Sequence, residues 1–557
     1  MNSCFKAGMT LLASAALFSQ TANAQTSWAN TQTQGTSLSQ LASATDEGPA
    51  PASQAITVRV ALALQNKAAL LDYVSSINNP TSANYGQSLT TAQFAAAYAP
   101  SAAQVQAVVN YLQGAGFNNV TVEPNSLLVS ADGTVAQANA AFNTTIENFS
   151  QNGSAVFGNL TTAEVPESLG GVAVAILGLN TIGQMHSALM TQAQDAASVG
   201  VPAYDVSYDP QQFWQIYGVG DTPAANNATV AVMAEGDVSQ VLTDLRTAEA
   251  AFDLPQVPVS VVQVGLASTD TSGVDEWDLD TQYTSGMAGT LKHLYIYATT
   301  SMTDSDIALE FSRWATDDKA RIANASFGLC EVFAYLDGSM LADDNTFLEA
   351  AAQGQTIFSS TGDTGSFCPV EVGENGVPAG APMVNYPAAS AYATAAGGTT
   401  LLANSDGNYD IEIAWYSGGG GISQFEYAPY WEVDANIVGA VKLNSRSMPD
   451  VAMDADPYSG ANVYIDGAVE AVGGTSLSSP LSVGVWARMI SGKPKLGFAP
   501  IHLYGLYDGT GTLGTYPEGG FHDIIVGADG LYTAGPGWDY TTGLGSFWVS
   551  EDYAVLK

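Results

Sequence analysis

Five stretches between residues 229 and 363 are continuously apolar where an exposed strand would alternate. They are TVAVMA (229–234), VSVVQVG (259–265), LYIYAT (294–299), RIANASFG (321–328) and QTIFSSTGD (355–363). A strand with one face in water alternates polar and apolar side chains, whereas a continuous run needs apolar cover on both faces. A central strand of a parallel sheet has that cover. Segments with helical periodicity, such as the one containing DIALEFSRWA, lie between the runs and supply the crossovers that parallel strands require. Residues 206–557 are therefore expected to form a doubly wound α/β domain, with its chemistry at the carboxyl ends of the strands.

The chain is 557 residues long, enough for a second folded unit before this one. From residue 56 the pattern differs: ITVRVALAL alternates like a half-buried strand, and AQVQAVVNYLQGAGF puts Val105, Val108, Val109 and Leu112 on one helical face before stopping at Gly114. Short strands and a short helix continue to about residue 182, which predicts a compact α+β domain of the ferredoxin-like kind over 56–182. Residues 1–24 carry Lys6, an apolar core and a close in Ala22-Asn23-Ala24, the pattern of a secretory signal peptide. Residues 25–55, rich in Ser, Thr, Ala and Gln, read as a flexible leader, and 183–205 as a linker. With 53 acidic and 14 basic residues the net charge is −39, which disfavours nucleic acid and anionic membranes as partners. That excess fits either a solvated surface or adaptation to acid. After export Cys330 and Cys368 remain, as a disulfide or as two buried thiols.

GGTSLSSP (473–480) precedes an apolar helical segment, LSVGVWARMI, so Ser476 is expected near a helix N-terminus, where free N–H groups favour developing negative charge. A nucleophilic serine needs a base, yet the chain has four histidines: His186, His293, His502 and His522. None stands in a His-Gly-Thr setting, none lies between Asp363 and Ser476, and no Gly-x-Ser-x-Gly elbow surrounds Ser476. A carboxylate is the alternative. In SGVDEWDLDTQYTSGMAG, Glu276 and Asp280 stand at i and i+4 of a helical segment, where two close carboxylates resist double ionisation and share a proton. The raised affinity for a proton suits one of them to act as a base toward serine in acid. Asp363 ends the apolar run SSTGD, where a protonated aspartate could donate a hydrogen bond to an oxyanion.

Together these residues resemble the sedolisins, or serine-carboxyl peptidases, whose motifs Glu-x-x-x-Asp, Gly-Asp-x-Gly and Gly-Thr-Ser-x-x-x-Pro occur here in family order. DPQQFWQIYGVG, VNYPAASAYATAAGGTTL, SGGGGISQFEYAPYW and MPDVAMDADP also look like sedolisin segments, and residues from 58 to 100 resemble the family's activation prodomain. The resemblance implies a subtilisin-like catalytic domain, with Ser476 as nucleophile, Glu276 as general base, Asp280 as its partner and Asp363 as oxyanion donor. It further implies one structural Ca²⁺ held by Asp523, Ile524, Gly535, Gly537 and Asp539; carboxylates and carbonyls are the hard oxygens that ion takes. A secreted, monomeric endopeptidase follows, acting on proteins or peptides in acid and kept silent by its own prodomain until a cut within 183–205. The sequence departs from the family at Gly473, where Ser is usual, and at Phe327, where Trp is usual, a change expected to affect the cleft. Two other readings stay open: an inactive secreted binding protein on a peptidase fold, and a histidine-dependent subtilase using His293.

Overall fold

A computed structural model describes residues 27–37, 40, 44–151, 153–199, 204–368, 380–507 and 520–556. The signal-peptide segment 1–24 lies outside the described residues.

In the C-terminal domain the central sheet runs in the order Val259–Gln263, Leu291–Thr299, Ala225–Glu235, Ile322–Ala325, Thr356–Ser360, Thr394–Ala403, Tyr409–Ala414, and Val451–Asp454 also pairs with Thr394–Ala403. Every pairing is parallel except that of Tyr409–Ala414. Val230, Val232, Leu294, Ile296, Ile322 and Phe358 are fully buried, as continuous apolar runs demand. This is the subtilisin-like architecture expected. One run differs: RIANASFG is two strands. Ile322–Ala325 stays in the sheet, then the chain bends at Ser326 and Phe327–Cys330 leaves to pair with Asn385–Tyr386. The bend is fixed by buried polar contacts, because Asn324 Nδ2 donates to Ser326 Oγ at 2.9 Å and Ser479 Oγ donates to Asn324 Oδ1 at 2.6 Å.

Two helices lie side by side against the strand Ala225–Glu235: Val274–Ala288, buried nearly all round, and Thr475–Gly492. Gly484 permits the close approach, since a Cβ there would fall 2.6 Å from Met287 Cβ. Pro480 sits in the second turn of Thr475–Gly492. Its missing N–H leaves the Ser476 carbonyl without a helical partner.

The N-terminal domain is an antiparallel sheet in the order Asn118–Val122, Leu128–Thr134, Ala55–Leu62, Ala173–Leu177. Helices Ala102–Gly114 and Val135–Ala141 cover one face, each begun by a capping box, Ser101 with Gln104 and Thr134 with Gln137. This is the ferredoxin-like arrangement. Val58, Val60 and Leu62 point into that core, while Ala61, Ala175 and Leu177 face the other way onto Ala308 and Ala342 of the second domain. Arg59 pairs with Asp306 at 2.8 Å, and Asn125 Nδ2 donates to Glu349 Oε2 at 2.7 Å. The sheet is thus covered on both sides, and the two domains share a packed interface.

One organisational expectation is corrected. Where it is described, the leader is ordered: Trp28–Asn30 pairs with Glu164–Pro166, and Ala44–Pro49 pairs with Ile146–Gln151. These strands take their order from backbone pairing, and between them Thr33 is held by its buried hydroxyl, 2.8 Å from Asp337 O, so apolar periodicity does not report the segment. The linker is likewise held against the second domain. His186–Ser187 pairs with Phe327–Gly328, Met190–Thr191 pairs with Val472–Gly473, and a helix follows at Gln192–Val199. Among the described residues no helix is long and apolar enough to cross a membrane.

Candidate active site

The bend at Ser326, the amino end of the helix Thr475–Gly492, the first turns of Val274–Ala288 and the loop after Thr356–Ser360 converge at the carboxyl edge of the central sheet. Ser476 is the second residue of its helix and fully buried. Its hydroxyl donates to Glu276 Oε2 at 2.9 Å and lies 3.2 Å from Ser326 O. Among the described residues no histidine hydrogen-bonds Ser476, and His186, in the linker over the cleft, is exposed and pairs through its backbone with Gly328. His293 bonds Ser260 Oγ at 2.9 Å, His502 bonds Asn78 Oδ1 at 3.2 Å, and His522 stacks between Tyr409 and Trp548. Burial pulls the last two down to about 4, so both are neutral above that pH.

Glu276 and Asp280 are 2 % and 0 % exposed, one helical turn apart. Glu276 Oε2 accepts from Ser476 and also from Ser187 of the linker; Asp280 Oδ1 accepts from Ser326 Oγ at 2.5 Å. Glu276 Oε1 and Asp280 Oδ2 are buried without a partner. Burial raises both carboxyls well above the usual range, and the neighbouring Asp280 charge raises Glu276 further. An ionised carboxylate only accepts hydrogen bonds, so one proton held by the pair relieves both the repulsion and the two unpaired oxygens.

Asp363 stands just past the strand Thr356–Ser360, on a turn opened by Gly362 at φ 89°. Its Oδ1 accepts from the N–H and the hydroxyl of Thr475, each at 2.8 Å, whereas Oδ2 is buried and unpartnered. Burial pushes this carboxyl up to about 7, against the opposing pull of the Thr475 bonds, and the linker's Asp195 adds repulsion. Below that pH the proton belongs on Oδ2, which needs it as a donor. Gly474, at φ 95°, leaves open the space beside that oxygen, where a Cβ would come within 2.6 Å of it. Asp363 Oδ2 and the Ser476 N–H thus face one small space over Gly474, which the carbonyl oxygen of Ala188 occupies.

The four residues singled out in the sequence are therefore neighbours in space. Several partners were not legible there: Ser326 and Asn324, which stand inside the run RIANASFG read only as a buried strand, Thr475, and the linker residues Ser187 and Ala188. Phe327 itself does not face the cleft. Its ring is fully buried between Trp277 and Phe311, so only its backbone meets the chain that crosses the site. Cys330 and Cys368 form a disulfide that ties the strand Phe327–Cys330 to the loop beyond Asp363.

Asp523 and Asp539 lie near each other in the tail. Gly537 N donates to Asp523 Oδ2 at 3.2 Å and Gly535 N donates to Asp539 Oδ2 at 2.9 Å. Burial and the Asp539 charge push Asp523 up to about 6. Among the described residues no N–H donates to the carbonyls of Ile524, Gly535 or Gly537, and no third His, Cys, Asp or Glu joins the two aspartates. Two mutually repelling carboxylates beside free carbonyls fit a hard cation held partly by backbone oxygen.

A family model described as "Pro-kumamolisin, activation domain" matches residues 42–182, which takes in the ordered strand Ala44–Pro49, and one described as "Subtilase family" matches 264–503. The chain is 35 % identical over 560 residues to sedolisin of Pseudomonas sp. (strain 101), covering 96 % of this chain and 93 % of that protein. It is 28 % identical over 532 residues to kumamolisin of Bacillus sp. (strain MN-32), covering 91 % and 92 %. Among solved structures, Pseudomonas sedolisin (serine-carboxyl proteinase) complexed with two molecules of pseudo-iodotyrostatin superposes with a TM-score of 0.58 at 35 % identity, covering 63 % of this chain and 98 % of that one.

Proposed function

The chain belongs to the sedolisin family, serine-carboxyl peptidases made with an activation prodomain, and from that premise we propose an acid-acting endopeptidase that works through an acyl-enzyme at Ser476. The observation that carries this reading is the direct hydrogen bond from Ser476 Oγ to Glu276 Oε2, with no histidine bonded to Ser476 among the described residues. Glu276 Oε2 takes the hydroxyl proton as Oγ attacks the peptide carbonyl carbon. The oxyanion that forms meets the Ser476 N–H and the proton on Asp363 Oδ2. Glu276 then hands its proton to the leaving amine, the C–N bond breaks, and the acyl group stays on Ser476. Water repeats the sequence: Glu276 takes its proton, the ester opens, and Oγ recovers a proton. Asp280, held by Ser326, keeps the shared proton and orients Glu276.

Acid supports this chemistry twice. Asp363 is a donor only while protonated, below about 7. A histidine base would be charged and idle under those conditions, while a carboxylate pair still cycles one proton. The tail residues Asp523, Ile524, Gly535, Gly537 and Asp539 would hold one Ca²⁺, whose bound charge offsets the repulsion between the two carboxylates. The residue 1–24 pattern supports secretion, and the packed N-terminal domain with its linker across the site supports a zymogen that processes itself. Hydrolysis of denatured protein at pH 3–5 by matured wild type, absent in Ser476→Ala, is the expected result. Equal activity in Ser476→Ala would sink the proposal, and an optimum above pH 7 abolished by His293→Ala would favour the subtilase reading.

A further inference from the structure

The linker crosses the site in one continuous extended line. His186 and Ser187 pair antiparallel with Gly328 and Phe327 on one side, and Met190 and Thr191 pair antiparallel with Gly473 and Val472 on the other. Residues 188 and 189 are the only ones between the two pairings, directly over Ser476. Ala188 N donates to Ser326 O at 3.1 Å, and the Ser476 N–H points at Ala188 O across 3.4 Å. Ala188 O also fills the space over Gly474, where a Cβ would strike both it and Asp363 Oδ2. The hydroxyl of Ser187 reaches Glu276 Oε2, so the residue before Ala188 touches the base. Each of these contacts comes from a different element, and all place one carbonyl, that of Ala188, between the two oxyanion donors.

Resting on the function proposed above, we infer that Ala188–Leu189 is the bond the precursor cuts first, with Ala188 on the acyl side and Leu189 as the leaving amine. In an extended chain successive carbonyls point to opposite sides. A slip of one residue would therefore turn the carbonyl of 187 or 189 away from Ser476 N–H and break both flanking pairings. In the cut, Ser476 Oγ bonds to the Ala188 carbonyl carbon, the Ala188–Leu189 C–N bond breaks, and Leu189 nitrogen takes the proton that Glu276 drew from Oγ. Water then releases the Ala188 carboxylate. The mature chain begins at Leu189, with Met190 and Thr191 still paired to the strand before Ser476. Ala188 is 7 % exposed, so the site takes a small side chain on the acyl side of this bond.

The test is full-length precursor purified at neutral pH, shifted to pH 4 and sampled for intact mass from the first minutes. The expected first products end at Ala188 and begin at Leu189, at a rate unchanged by tenfold dilution because the cut is intramolecular. Ala188→Pro removes the N–H given to Ser326 and should slow this cut about tenfold or more, whereas wild-type processing at an unchanged rate in that variant would overturn the inference. First products that flank another bond, absent in Ser476→Ala, would also overturn it while leaving the peptidase reading intact. A Ser476→Ala precursor that still splits, or a wild-type precursor that stays whole at every acid pH, would contradict the peptidase reading itself.

Discussion

Replacing Asp363 by alanine isolates the oxyanion donor. The carboxyl is buried, Oδ1 is engaged by Thr475, and Oδ2 faces the space over Gly474 with no hydrogen-bond partner. Loss of one preorganised donor costs about 10²–10³ in kcat, or about 2.7–4 kcal/mol of transition-state stabilisation. The same substitution strands the Thr475 N–H and hydroxyl, which costs about 1–3 kcal/mol of stability, so folding has to be followed separately by thermal unfolding. Asp363→Asn serves as the control, because it keeps an acceptor toward Thr475 and an N–H in place of the Oδ2 proton. Single-turnover acylation on a chromogenic peptide, measured from pH 3 to 8, should show the alanine variant down by that factor with KM little changed. Wild type should lose activity as pH rises through about 7, where Oδ2 gives up its proton. Asn, which does not titrate, should lack that step and exceed Ala. Alanine within fivefold of wild type, in a folded enzyme, would refute the oxyanion role.

Other consequences follow from the same burial. The carboxyls of Asp363, Glu412 and Glu349, raised to about 7, 7 and 8, hold protons in the folded protein that the unfolded chain has already released near pH 4. Stability is thus fully present below pH 4 and lost as pH rises toward 8, and the thermal midpoint should fall by more than about 5 °C across that range; a midpoint that rises would contradict it. Arg446, 1 % exposed, pairs with Glu432 at 2.5 Å and Asp450 at 2.6 Å. Arg446→Met leaves those two buried acceptors without their cation and should cost about 3–5 kcal/mol in denaturant unfolding; a cost below about 1 kcal/mol would refute that. Chelating Ca²⁺ with EGTA should lower the thermal midpoint of wild type and leave Asp539→Asn unmoved, and equal shifts in both would remove Asp539 from the site.

The central sheet was legible because its strands are buried on both faces, so Thr229 to Ser360 carries the signal in each strand's own composition. The strands of the leader and the pairing of the linker went unseen for the opposite reason. Trp28–Asn30 and His186–Ser187 are ordered by partners far along the chain, and backbone pairing leaves no mark in the paired residues themselves. Glu276, Asp280, Asp363 and Ser476 could be proposed from charge spacing, strand ends and a helix start. Ser326 could not: its carbonyl and hydroxyl matter through a bend set by buried contacts to Asn324 and Asp280. Phe327 was tied to the cleft only as a departure from the family's usual Trp, and strand alternation turns its ring into the core against Trp277.

The carboxylate mechanism stands or falls on Glu276, which alone among the described titratable side chains receives the Ser476 hydroxyl. Glu276→Gln keeps the shape and the capacity to accept that hydrogen bond while removing the basic oxygen. Steady-state peptide hydrolysis by the matured variant, released from its prodomain by an added protease, should fall about 10³-fold at every pH from 3 to 8. A Glu276→Gln enzyme working within a few-fold of wild type anywhere in that range would show that another group takes the proton.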